Sequence, residues 1–133
     1  MNVVYVGIPE VLDGEILGLV SRWGDFLPRW VDTLTVIYDD TQPNIASADG
    51  VFEQRVAKLW IHPQFWSLDK RSRDITILHE IAHILMAPLD QCVDTIIKFR
   101  PENALAEKLY SDAVEGYVND FASIAWLSRQ DKP

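Results

Sequence analysis

The run from Asp74 to Leu89, DITILHEIAHILMAPL, limits what this chain can fold into more than any other stretch. Isoleucine and leucine fall at nearly every angle around a helix drawn through Ile75 to Leu85. That pattern predicts a helix buried on all sides rather than an amphipathic helix on a surface. Three titratable side chains, His79, Glu80 and His83, sit inside this greasy segment. An unpaired imidazole or carboxylate in such surroundings is costly, so the segment implies partners for all three.

The rest of the chain supplies the wrapping. Asp13 to Trp23 has helical spacing behind an Asp13 cap, and Asp32 to Asp40 is β-branched and aromatic, a strand pattern. Thr41 to Gly50 reads as a loop and Val51 to Pro63 as a second strand, with Val56, Lys58, Trp60 and His62 alternating against Ala57, Leu59 and Ile61. Val3 to Val6 is too short to assign. The central helix is expected to start behind Asp69 or Ser72 and to stop at Pro88. Leu89 to Phe99 then reads as a mixed connection, and Pro101 opens a long last helix reaching about Ser128. This order predicts an α+β fold over residues 1–133 as a single domain, a small sheet packed on the central helix.

Composition narrows the class of partner. The formal charge is -8, from twelve Lys and Arg against twenty Asp and Glu, and such a surface repels a phosphate backbone. The densest basic cluster, Lys70 to Arg73, is a short pre-helix segment, so no nucleic acid is expected as a partner. One cysteine, Cys92, excludes an internal disulfide and reads as an inert small residue. No stretch has the length of a membrane span, and the first residues lack the basic region of a secretory leader. The expected location is cytoplasmic, away from membranes.

His79 and His83 are four residues apart, which stacks their rings on one helical face. Two neutral imidazoles so placed can hold one zinc ion, while Glu80, one step round, is placed to take a proton from a water on the metal. A catalytic zinc usually takes three protein ligands, and the extended motif with a third nearby histidine is absent here. The third ligand therefore falls to the last helix, which offers Glu107, Asp112 and Glu115. Glu115 is preferred. It leaves 32 residues after His83 for an antiparallel return, Gly116 beside it lets two helices approach, and Asn119 one turn on can orient a ligating ring. Lys108, Asp112, Glu115 and Asn119 also form one polar stripe of the kind found on a solvated face. His62 is a surface residue or a group that polarises a substrate carbonyl. Tyr110 and Tyr117 are candidates to donate a hydrogen bond to the oxyanion of a tetrahedral intermediate, but their place toward the apolar side of the last helix reads rather as core. Trp60, Phe65 and Trp66 read as core or rim, or as the lining of a substrate groove. Val56 to His62, taken as an edge strand, can hold an extended peptide by backbone pairing.

HEIAH followed by a downstream glutamate helix resembles the gluzincin group of zinc metallopeptidases. Within that group the chain is similar to small single-domain zincin-like proteins of phages and bacteria, of the ImmA/IrrE type, over Val56 to Trp126. The resemblance implies a minimal zincin-like domain with His79, His83 and Glu115 as zinc ligands and Glu80 as catalytic base. Asn119 falls where gluzincins place an orienting acid, and the run Asn119 to Ala122 resembles the same pattern. The expected function is zinc-dependent hydrolysis of peptide bonds in a protein or peptide substrate. The alternative is a catalytically silent zinc-binding module of the same fold that serves regulation or interaction.

Overall fold

The computed structural model describes residues 1–99, 102 and 104–130. Four strands, β1 (Asn2–Val6), β2 (Thr33–Tyr38), β3 (Ala46–Val51) and β4 (Val56–Ile61), form one sheet in the order β1-β2-β4-β3. β1 and β4 run parallel to β2, and β3 runs antiparallel to β4. Parallel neighbours need a long crossover, and helix α1 (Asp13–Trp23) supplies it between β1 and β2. The architecture is mixed α/β, consistent with the α+β expectation.

The sheet buries one face. Leu34 and Val36 of β2 and Ala57, Leu59 and Ile61 of β4 alternate inward and join one core with Ile77, Leu78, Ile81 and Ile84 of helix α2 (Lys70–Phe99). From Asp74 to Pro88 no residue of α2 is exposed, as its all-round apolar pattern requires. Asp74 meets its own burial by accepting a 2.9 Å hydrogen bond from the Trp23 indole of α1. Asp69, not Ser72, caps α2, accepting from the Ser72 N–H at 2.7 Å. On α1, Asp13 is the first helical residue and makes no side-chain cap. The last helix, α3 (Ala104–Leu127), packs against α2 through Val114, Val118 and Ala82. The expected Pro101 start lies outside the described residues.

Several expectations need correction. α2 does not stop at Pro88 but runs through it to Phe99, so Leu89 to Phe99 is helix and not connection. Losing the proline N–H costs about 3 kcal/mol, but the segment beyond is tied on two sides. Asp90 accepts from the Tyr110 hydroxyl at 2.7 Å, and Gln91 donates to the Gly50 carbonyl at 2.9 Å. The expected loop at Thr41 to Gly50 contains strand β3, and the expected strand at Val51 to Pro63 is regular only over Val56–Ile61. Between them Phe52 to Arg55 turn the chain, with Arg55 at a left-handed φ of 57°. Arg55 is held there by a 2.7 Å ion pair to Asp32 and by its carbonyl, which accepts from the Asp32 N–H at 2.8 Å. Val56 to His62 is consequently not an edge; β4 is paired on both sides, and the edges are β1 and β3, with β3 beside β4. The short Val3 to Val6 run belongs to β1.

Gly50 explains how β3 lies so close to α2. A Cβ there would sit 2.9 Å from the Trp30 ring and 3.1 Å from the Ala87 Cβ. The Trp30 ring can shift, but Ala87 is fixed to the α2 backbone. Gly50→Ala is expected to lower stability by roughly 1–3 kcal/mol, the usual range for overpacking. An unchanged urea midpoint would refute the close contact.

Candidate metal centre

α2 and α3 together build the site. His79 and His83 project from one face of α2, their rings 4.8 Å apart and inclined by 67°. Burial of Val114, Val118 and Ala122 turns the neighbouring stripe of α3 toward these rings, bringing Glu115 and Asn119 with it. The His83 Nε2 lies 3.0 Å from Glu115 Oε1 and the His79 Nε2 3.6 Å from Glu115 Oε2. The two Nε2 atoms are 3.2 Å apart. Around an ion held tetrahedrally at about 2.0–2.1 Å, donor atoms stand about 3.3–3.4 Å apart, so the observed edges straddle that value.

Proton counting sharpens the point. His79 Nδ1 lies 2.9 Å from Asn119 Oδ1, a contact in which the ring N–H donates to the amide oxygen. In the neutral ring that assignment leaves Nε2 as the lone pair facing the centre. Burial lowers the His83 pKa below its ordinary 6.5 against the opposing pull of Glu115, so this ring is neutral at pH 7 and has at most one N–H to offer there. With both rings neutral, three acceptors converge with one proton at most between them. A single cation satisfies all three, and two imidazoles with one carboxylate are a donor set that suits zinc.

Glu80 is only 8% exposed and makes no side-chain hydrogen bond among the described residues. Burial first, and the charge of Glu115 second, push its pKa up to about 8. A largely buried carboxyl close enough to feel Glu115 is a group whose ionisation a nearby dication would favour.

Among the described residues, His79, His83 and Glu115 are the three whose donor atoms all lie within 4.8 Å of one another. Asp112 is exposed on α3 outside that cluster. Glu107 lies apart from it too, lining with His83, Glu115, Asp90, Asp94 and Tyr110 an open cleft of ≈ 270 Å³ beside the ligands. Gly116 does not lie between the helices: a Cβ there would meet nothing within 4 Å, so its expected role at the helix contact is withdrawn. His62 instead caps the turn that follows β4, accepting from the Gln64 N–H at 3.0 Å. Tyr110 is half-buried in the cleft, with its pKa raised by burial first and by Asp90 second. Tyr117 is 68% exposed and not core. Cys92 is exposed, Phe65 is fully buried, and Trp60 and Trp66 are half-buried. Sequence reasoning missed Asp90 and Asp94. Their only signal lies in the segment after Pro88, which reads as a connection in the sequence. No helix of the described residues is long and apolar enough to cross a membrane. No protein-family model, curated protein or solved structure matches this chain, so the likeness to gluzincins rests on its motifs alone.

Proposed function

We propose that this protein is a zinc-dependent metallopeptidase whose metal is held by His79, His83 and Glu115. The observation that carries the reading is the convergence of His79 Nε2, His83 Nε2 and the Glu115 carboxylate at 3.0–3.6 Å, on the same helix as the largely buried Glu80. When bound, zinc supplies Lewis acidity toward a scissile carbonyl and acidifies water. Glu80 accepts the proton of the attacking water and returns it to the leaving amine. Asn119 holds the His79 ring in the tautomer that presents Nε2 to the centre. The substrate is an extended peptide, and the strand that can pair with it is β3, the free edge that packs along α2. Gln91 already donates to the Gly50 carbonyl, which leaves Ala46 to Asp49 as the pairing stretch.

The test is metal content by mass spectrometry on protein purified without a metal-affinity step. About one zinc per chain is expected in the wild type and loss of it in Glu115→Ala, while Asn119→Ala should weaken zinc about 10–100-fold. Absence of zinc from the wild type, even after adding it back, would sink the proposal. Equal zinc in wild type and Glu115→Ala would move the third ligand elsewhere.

A further inference from the structure

The cleft that opens beside the histidines is acidic along its length. His83 and Glu115 of the proposed centre form one end of this ≈ 270 Å³ space, and Asp90, Asp94, Glu107 and Tyr110 line its continuation. No lysine or arginine lines it, and among the described residues Asp90, Asp94 and Glu107 enter no ion pair. Asp90 is half-buried, and its partner there is a neutral phenol, the Tyr110 hydroxyl at 2.7 Å. A half-buried carboxylate without a cation is a charge left uncompensated. Tyr110 registers the field: burial first, then Asp90 and Asp94, raise its pKa. Between the acids the walls are apolar, from Val93, Ile97 and Val114.

We propose that this cleft holds a lysine or arginine side chain of the peptide being cut, so that the substrate is basic at one residue beside the scissile bond. The proposal rests on the metallopeptidase reading of the centre. Asp90 stands two helical turns past His83, and Glu107 about as far before Glu115. At 1.5 Å per residue the outlying acids therefore begin about 10–12 Å along the helices from the centre. A charge carried that far from a backbone at the centre needs a long side chain. Its stem lies on Val93, Ile97 and Val114 while its head reaches the carboxylates, the division that lysine and arginine make between apolar stem and charged tip. A metal ion fits less well, because it needs donors gathered around one point. Among the described residues only His79, His83 and Glu115 bring three donor atoms within 4.8 Å of one another. Asp90, Asp94 and Glu107 are spread along the seam instead, where an ammonium or guanidinium with several N–H donors can use them. The formal charge of -8 adds long-range attraction for a basic chain.

The test begins with binding to Glu80→Gln, which on the reading above holds a peptide without cutting it. Short blocked alanine peptides with a central Arg, Lys or Gln are titrated into isotope-labelled protein and followed by amide chemical shifts. The Arg and Lys peptides are expected to move the amides of Asp90 to Asp94 and of Glu107 to Ser111, and the Gln peptide to leave them in place. Adding Asp94→Asn and Glu107→Gln, both at exposed positions, should preserve the circular dichroism and weaken the basic peptides at least about 10-fold. Asp112→Asn, exposed on α3 outside the cleft, should bind as its parent does. When the wild type digests a degenerate peptide library, Lys or Arg should be enriched at one position next to the cut, and Asp94→Asn with Glu107→Gln should abolish that enrichment. A Gln peptide that binds as well as Arg, or a library cut without basic preference, would overturn the cleft assignment and leave the metal centre standing. Calcium or magnesium that moves the same amides and displaces the Arg peptide would overturn it in favour of an ion. A basic peptide bound in the cleft of a protein that takes up no zinc would keep the cleft as a site for a basic side chain and sink the metallopeptidase reading instead.

Discussion

Glu80→Gln is expected to keep its zinc and to lose peptide hydrolysis by a factor of about 10²–10⁴, the usual contribution of a positioned general base. Gln matches Glu in shape, so the packing around a side chain only 8% exposed is preserved. The proposed ligand atoms belong to His79, His83 and Glu115, so the variant leaves that donor set intact. What it removes is the ability to hold a proton between attack and departure of the amine. Cleavage of a degenerate peptide library, read by mass spectrometry alongside zinc content, separates the two properties. A variant that cuts at the wild-type rate would remove Glu80 from this role.

The metal-free protein should lose stability as pH rises, and Glu80 is the cause. Its pKa goes from an ordinary 4.5 to about 8 in the fold, so the folded chain keeps a proton that the unfolded chain releases. Stability therefore falls as pH climbs from 4.5 toward 8 and levels off above that. At about 1.4 kcal/mol per pH unit, the full loss is up to roughly 4–5 kcal/mol. Urea unfolding of chelator-treated protein near pH ~5 and ~9 measures it, with Glu80→Gln as the reference that lacks this titration. Equal pH dependence in the two proteins would show that Glu80 ionises in the fold as readily as in the unfolded chain. Adding zinc should flatten the wild-type curve, because the ion favours the carboxylate that burial disfavours.

The cluster of His79, His83 and Glu115 was legible in the sequence because part of its spacing is local. The four-residue step from His79 to His83 sets two imidazoles on one helical face, and the polar stripe of α3 offers few alternatives for a third donor. Glu115 was separable from Asp112 and Glu107 only by preference until α3 had a packed side. Burial of Val114 and Val118 then decided which flank meets the histidines. β3 was illegible for a physical reason. Ala46 to Gly50 has small and polar residues because α2 lies against it, and small residues also make loops. The turn after it contains no glycine, proline or asparagine, and an arginine takes the left-handed position with Asp32 as its anchor. Pro88 misled in the opposite direction, since tertiary hydrogen bonds from Tyr110 and Gln91 carry the helix past it. Gly116 was read as a helix contact because a glycine beside a ligand suggests close approach; its actual angle on α3 faces outward.

The four residues of the centre, His79, His83, Glu115 and Asn119, all lie on two consecutive helices, the most distant in contact being 40 positions apart. The sheet closes over less chain, β1 meeting β2 across some thirty residues with α1 laid down between them. Loop closure grows harder with separation, so the centre is completed only as α3 folds back along α2. The β-sheet beneath fixes how deeply α2 is buried, while the two imidazoles stay 25–26% exposed. In folding terms, the last helix is what turns two neighbouring rings into a cluster of three donors.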